Sequence, residues 1–261
     1  MATGILALDL VTAFKKRDQW LYMAIWDIKS RYRRTVLGPF WLVIMNLFSI
    51  ACMSVVSSLL FKANIIEILP YVSLGLITWV FLSNIIVESC LVYVNFGWML
   101  SNLIFDPLHL CLRVFSRVFI AFLHGFLAVA LILLLIGKLN LTSFYLLVPA
   151  FLIYFINTIS ICIIFGYLAT RYRDIVQIIQ TLLSVLVFVT PIMWRTDMLG
   201  ERKIVALINP FTHFIDLIRA PLIGEELTSV GIYYTVIFTV MSFGLASYFY
   251  KKYRNQLIFW L

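Results

Sequence analysis

Six apolar stretches, each close to the length that a helix needs to cross a bilayer, constrain this chain more than any other feature. They cover approximately residues 39–61, 71–94, 114–136, 145–168, 175–193 and 232–250. An α-helix rises about 1.5 Å per residue, so about 20 apolar residues cross the hydrocarbon core. The stretches are continuously apolar and do not alternate with polar residues, which disfavours a closed β-barrel. The sequence therefore predicts an all-α integral membrane protein with six transmembrane helices.

The composition agrees with this class of protein. Hydrophobic residues make up 63% of the 261 residues and charged residues only 12%, against about 25% charged residues in a typical soluble domain. The formal net charge is +8, but the basic residues lie between the apolar stretches and form no single basic face. We therefore expect membrane lipids among the partners and no nucleic acid.

The distribution of basic residues predicts the orientation of the chain. Residues 1–38, 95–117, 169–174 and 251–261 would lie on one side of the membrane, and they hold fourteen of the 20 Lys and Arg residues. The opposite side holds the other six. Because basic residues are enriched on the cytoplasmic side, both termini are predicted to be cytoplasmic.

The chain is predicted to form a single transmembrane domain over residues 1–261. Its parts are a cytoplasmic interfacial segment at 1–38, spans one to five at 39–193, an external segment at 194–231, span six at 232–250 and a cytoplasmic tail at 251–261.

The amino-terminal segment has the pattern of a basic amphipathic helix. Apolar side chains recur at helical spacing along one face, and basic side chains point elsewhere. The apolar set is Leu21, Ile25, Ile28 and Tyr32, and the basic set is Lys29, Arg33 and Arg34. This arrangement predicts a helix in the plane of the membrane interface, which turns at Gly38-Pro39 into the first span.

Two connections contain apolar segments that are too short to cross the membrane. Ile204–Ile208 and Phe211–Ile223 are separated by Asn209-Pro210, a pair that favours a turn, and they predict an external re-entrant helical hairpin. Residues 99–112 are broken at Asp106-Pro107 and predict a short cytoplasmic helix along the membrane surface.

The sequence lacks the motifs of several enzyme classes. It has no Gly-x-x-x-x-Gly-Lys-Ser/Thr phosphate-binding loop, no His-Glu-x-x-His helix and no Gly-x-Ser-x-Gly elbow. The four cysteines lack the paired spacing of a metal site, so no metal is expected. If the chain works in ATP-driven transport, another chain must hydrolyse the ATP.

A few side chains inside or beside the spans allow both a structural and a functional interpretation. Glu88, within the second span, can pair with Arg113 or Arg117, or it can face a transport path. Asp216 and Arg219 share a helix face, where they can form a structural salt bridge or belong to a gate.

Four motifs in order along the chain resemble the membrane subunit of ABC-type polysaccharide exporters. The closest resemblance is to the O-antigen export permeases of the ABC-2 type. The motifs are Asp27-Ile28-Lys29-Ser30-Arg31-Tyr32 with Leu37-Gly38-Pro39-Phe40-Trp41, Thr170-Arg171-Tyr172-Arg173-Asp174-Ile175, Thr190-Pro191-Ile192-Met193-Trp194, and Asn209-Pro210 followed by Arg219 and Gly224.

The resemblance implies a homodimer bound to two copies of a separate ATPase. Such a complex moves lipid-linked O-antigen polysaccharide across the bacterial inner membrane through a dimeric channel. ATP and Mg²⁺ would bind to the partner ATPase, and no cofactor is expected on this chain.

The resemblance also suggests roles for individual residues. Candidates for contact with the ATPase are Trp26, Lys29, Arg31, Arg33, Arg34, Asp106, Pro107, His109, Arg171, Arg173 and Asp174. Candidates for an external, periplasmic gate are Asn209, Pro210, Asp216, Arg219 and Gly224. Candidates for the channel lining are Trp41, Trp79, Phe81 and Glu88, since aromatic rings can stack on sugars, although most aromatic residues are expected in packing and interfacial belts.

Three alternatives remain open from the sequence. The substrate of such a permease can be capsular polysaccharide or teichoic acid, or the chain can export a small molecule. A membrane enzyme of lipid-linked sugar metabolism is the third, but it would need clustered acids or histidines, and His109, His124 and His213 are scattered.

Overall fold

The computed structural model describes residues 2–31, 33–38, 40–101, 106–197 and 204–261, and these residues form helices and their connections. The helices are α1 Ala2–Lys15, α2 Arg17–Arg31, α3 Phe40–Phe61, α4 Ile65–Ser101, α5 Pro107–Leu135, α6 Leu147–Arg171, α7 Asp174–Val189, α8 Ile204–Ile208, α9 Pro210–Ile223, α10 Ser229–Tyr253 and α11 Leu257–Trp260. The all-helical class predicted from the sequence is confirmed for the described residues.

Five helices are long and apolar enough to cross a membrane, namely α3, α4, α5, α6 and α10. The other predicted span forms α7, which has only 16 residues. This helix stops before Thr190, whose backbone is extended (φ −88°, ψ 136°). Thr190 precedes a proline, and the residue before a proline disfavours the helical conformation. The part of this multi-pass membrane protein that the structure describes thus has five membrane-length helices and one shorter apolar helix.

Helix α4 lies at the centre of the bundle. It packs against α3, α5, α6, α7 and α9, while α10 packs against α6 and α9. Helices α4 and α6 approach closely at Gly166, where an added Cβ would lie 2.7 Å from the ring of Tyr93. A residue without a side chain is therefore needed at this helix crossing.

The short surface helix predicted for residues 99–112 is wrong in the described part of that range. Residues 99–101 end α4, and Pro107 begins α5, which continues to Leu135; residues 102–105 lie outside the described part. Asp106 is the extended N-cap (φ −73°, ψ 151°) and Pro107 is the first helical residue, where its fixed φ favours helix initiation. The Asp106-Pro107 pair therefore starts a long helix.

The two amino-terminal helices pack against the bundle, α1 on α10 and α5, and α2 on α5. The predicted helix at α2 is confirmed, with Trp20 and Ala24 buried against the protein and Ile25 43% exposed, and its place in the membrane interface stays a prediction. The indole of Trp20 donates a hydrogen bond to the carbonyl of Ala13 at 3.2 Å, which turns this face towards the protein. Tyr32 and Pro39, which carry part of the prediction, lie outside the described residues.

Candidate functional site

Ionic clusters lie at the two ends of the bundle. The α2 cluster, formed by Asp27, Arg31, Glu88, Arg113 and Arg117, joins α2 to α4 and α5. The α9 cluster, formed by Tyr71, Arg195, Asp216, Arg219 and Glu225, lies where α4 begins and α7 and α9 end.

The central ion pair of the α2 cluster is between Arg113 and Asp27. Arg113 Nε and Nη2 donate to Asp27 Oδ2 and Oδ1 at 2.7 and 2.6 Å, and the two side chains are only 6% and 17% exposed. The same guanidinium lies 3.6 Å from the ring centroid of Phe96, the residue where α4 departs from helical geometry (φ −120°, ψ 19°). Asp27 therefore connects the amino-terminal helix to the kink in α4 through one buried arginine.

Glu88 completes the α2 cluster. Its Oε2 accepts a hydrogen bond from Arg117 and its Oε1 accepts one from Arg31 at 3.4 Å. The predicted pairing of Glu88 with an arginine of the third span is confirmed, with Arg117 as the partner. Both carboxylate oxygens are thus used in binding α2 and α5 to α4.

The ends of α9 are set by residues that the sequence singled out. The Asn209 side chain accepts from Phe211 N at 3.0 Å and donates to Thr190 Oγ1 at 3.0 Å. Pro210 is the first residue of α9, and Gly224 ends it with φ +78°, a left-handed conformation that glycine adopts readily. Asn209 therefore caps α9 and ties its beginning to the end of α7.

Arg219 is the centre of the α9 cluster and is 2% exposed. Its Nε and Nη2 donate to Asp216 Oδ1 at 3.1 and 2.5 Å, and its Nη1 donates to the Pro191 carbonyl at 2.6 Å. The guanidinium lies 3.7 Å from the ring centroid of Tyr71. The predicted Asp216–Arg219 pair is confirmed, and the same arginine links α9 to α4 and α7.

Arg195 adds a more exposed link beside Arg219. It donates to Glu225 Oε1 at 2.7 Å, and the two side chains are 38% and 42% exposed. This ion pair joins the segment after α7 to the segment after α9.

Most candidates for contact with an ATPase lie on the surface. The exposed ones are Trp26, Lys29, Arg31, Arg33, Arg34, Asp106, Arg171, Arg173 and Asp174. Pro107 is half-buried. His109 is buried in this conformation, with 3% of the residue exposed and its Nδ1 4.0 Å from the Asp106 carboxylate, and its contact with an ATPase stays a prediction.

The predicted aromatic lining of a channel stays a prediction, and two of its three residues are buried in this conformation of the subunit. Trp79 and Phe81 are 6% and 1% exposed, because they pack against other rings inside the subunit: Trp79 against Phe211, and Phe81 against Tyr154. Trp41 is 48% exposed and remains accessible.

Sequence reasoning missed a polar stripe on α7. Gln177, Gln180, Thr181 and Ser184 recur at helical spacing and are exposed. Thr181 and Ser184 donate to carbonyls of their own helix, as hydroxyls do in apolar surroundings as well. The two glutamine amides have no hydrogen-bond partner among the described residues and require a polar environment. Their spacing within an apolar stretch is the signal that could have revealed the stripe.

Comparison with known proteins gives two findings. The sequence profile of the family described as ABC-2 type transporter matches residues 18–223. The O-antigen export system permease protein RfbA of Klebsiella pneumoniae is 23% identical over 237 residues, which cover 87% of this chain and 90% of that protein.

Proposed function

Because the chain belongs to the ABC-2 type transporter family, we propose that it is the transmembrane subunit of an ATP-driven polysaccharide exporter. Its substrate is lipid-linked O-antigen polysaccharide, which it moves across the bacterial inner membrane. The name of the Klebsiella relative supports this choice of substrate.

The observation that carries the proposal is the polar stripe on α7. A membrane helix that exposes Gln177 and Gln180 requires a partner or an aqueous path, because an amide without a hydrogen bond in hydrocarbon costs several kcal/mol. The hydroxyl groups of a polysaccharide, and the water around it, would form hydrogen bonds with these amides. We therefore place the stripe on the wall of a channel formed between two copies of the subunit.

The energy source is a separate ATPase in two copies, which binds ATP and Mg²⁺. This part of the proposal rests on the lack of a phosphate-binding loop in the sequence and on the exposed basic residues around α2 and around Arg171 and Arg173. The ion pairs of the α2 cluster would transmit movement of α2 to α4 and α5.

The orientation follows from the same proposal. Helices α1 and α2 lie on the cytoplasmic interface, where the exposed Tyr22 and Trp26 rings suit the headgroup level. Both termini are cytoplasmic, α7 is the fifth span and α10 the sixth, and α8 and α9 form an external re-entrant hairpin. The hairpin acts as the periplasmic gate, and the contacts of Arg219 with Asp216, the Pro191 carbonyl and Tyr71 hold α9 in place.

Deletion of the gene in the source organism tests the proposal. We expect cells without the chain to lose surface polysaccharide while lipid-linked polymer accumulates inside, and the wild-type gene to restore display. Loss of polymer synthesis itself would favour the membrane enzyme, and unchanged display would refute the exporter. Loss of capsule or teichoic acid with O-antigen intact would reassign the substrate.

A further inference from the structure

A polar cavity of about 360 Å³ lies beside the α9 cluster. Its wall is built from four segments: the beginning of α4 at Tyr71, residues 195–197 after α7, one face of α9, and residues 225–231. The volume falls within the range of about 300–1,000 Å³ that is typical of small-molecule sites.

The two arginines of this cavity are already engaged by the protein. Arg219 donates to Asp216 and to the Pro191 carbonyl, and Arg195 donates to Glu225. Several acceptors stay available: among the described residues, Asp216 Oδ2 and the Glu226 carboxylate have no hydrogen bond or ion pair. The cavity therefore suits a ligand that offers hydrogen-bond donors.

A buried hydroxyl group independently indicates an occupant. Tyr71 is 4% exposed, and its Oη has no hydrogen-bond partner among the described residues. Such a group loses its hydration without compensation, which costs about 1–3 kcal/mol. This oxygen is closed off from the cavity in the present conformation, and a ligand hydroxyl would supply the missing hydrogen bond after a small shift of the cavity wall.

The charge of the wall selects among donor-rich ligands. Four carboxylates, Asp197, Asp216, Glu225 and Glu226, face two arginines, so the wall carries a net charge of −2. Sugars with hydroxyl or amino groups match this wall, while uronic acids and phosphorylated sugars are repelled.

We infer that this cavity is an exit-side subsite for one neutral or amino sugar unit of the exported chain. The inference rests on the proposed function and narrows its substrate class. Because the α9 cluster forms the wall, occupation of the subsite would stabilise α9 in its present position.

The test uses the full-length chain in lipid nanodiscs and saturation-transfer NMR. The probes are oligosaccharides released by mild acid from the surface polysaccharide of the source cells, with tetragalacturonic acid as the acidic comparator. We expect the released fragments to be neutral or amino sugars that bind, and the acidic comparator not to bind. Acidic fragments, or fragments that show no saturation transfer, would overturn the inference.

Two tyrosine variants locate the binding. Tyr71→Phe removes only the hydroxyl and retains the ring beneath Arg219, and we expect about three- to tenfold weaker binding, the effect of one neutral hydrogen bond. Tyr145→Phe is the matched control, since Tyr145 is 70% exposed and is not part of the cavity wall. Equal affinity in wild type and Tyr71→Phe would overturn the assignment.

Export measured in parallel separates this inference from the proposed function. If the wild-type chain with its ATPase exports polymer but the cavity binds no fragment, only the subsite is refuted. If the wild-type complex exports nothing, the proposed function fails whatever the nanodisc experiment shows.

Discussion

At the scale of single residues, the buried arginines hold separate helices together. Arg113 and Arg219 each combine a carboxylate with an aromatic ring, Phe96 in one case and Tyr71 in the other. The planar guanidinium can donate several hydrogen bonds and stack at the same time, which lysine cannot do. The spacing of Asp216 and Arg219 allowed their pair to be predicted, because both lie on one helix. The Asp27–Arg113 pair is 86 residues apart in sequence, and no local pattern indicates it.

The Asp27–Arg113 pair should show strong energetic coupling. Asp27→Ala leaves the Arg113 charge buried without its bidentate partner, and we expect a loss of about 3 kcal/mol in stability. The double variant with Arg113→Met should recover part of that loss, because no unpaired charge remains. Thermal unfolding in detergent measures both effects. If the stability losses of Asp27→Ala alone and Arg113→Met alone add up to the loss in the double variant, the pair is not coupled.

Arg219→Lys should loosen α9. Lysine cannot reproduce the two bonds to Asp216, the bond to the Pro191 carbonyl and the stacking on Tyr71, so we expect a loss of about 2 kcal/mol and faster amide hydrogen exchange in α9. The control is Arg195→Lys at a 38% exposed site, where a change of less than about 0.5 kcal/mol is expected. Equal exchange rates in the two variants would contradict the role given to Arg219.

At the scale of helices, apolar length and turn residues predict most elements, and interhelical contacts decide the rest. The sequence reveals both ends of α9, because the signals there are local. Asn209 is the cap, Pro210 is the first residue and Gly224 terminates the helix. The Asp106-Pro107 pair predicts a break although it initiates α5, since an N-cap followed by proline has the same local pattern in either case. The buried face of α2 depends on Trp20 reaching α1, and helical periodicity alone does not contain that contact.

The polar stripe of α7 should be required for export and dispensable for insertion. Replacing Gln177 and Gln180 by leucine makes the helix more apolar, so membrane insertion should remain normal. The rate of export should fall by about tenfold, which corresponds to an increase of about 1.4 kcal/mol in the activation free energy of export. In the control variant, leucine replaces Ile178 and Val185, which lie on the adjacent exposed apolar face. The measurement is the amount of surface polysaccharide per inserted subunit. Normal export by the variant that lacks the two glutamines would show that the stripe does not line the channel.

At the scale of the whole molecule, the apolar helices were more predictable than the transport path. Membrane-length apolar stretches are a property of sequence, and five of the six predicted spans form membrane-length helices in the described part of the chain, while the orientation inferred from the basic residues stays a prediction. A channel depends on which surfaces a second copy covers. Trp79 and Phe81 illustrate the difference, since an aromatic residue in a span has the same sequence pattern in the core as on a channel wall.

Orientation should depend on the basic segment before α3. Changing Arg31, Arg33 and Arg34 to Glu should disfavour a cytoplasmic amino terminus by about 1 kcal/mol per residue of lost attraction to anionic lipids. A cysteine placed at position 3, in a chain lacking its four native cysteines, reports the side through labelling by a membrane-impermeant maleimide. Lys138→Glu, on the opposite side, is the control. Unchanged labelling and export in the triple variant would show that these charges do not set orientation.

The central claim is that this chain forms a transport path driven by a separate ATPase. The most direct measurement is delivery of lipid-linked polysaccharide across proteoliposome membranes that contain the purified chain, with and without the partner ATPase. We expect delivery only when both proteins and Mg-ATP are present, and none when the ATPase lacks its phosphate-binding lysine. Delivery by this chain without the ATPase, or none by the complete complex, would contradict the account.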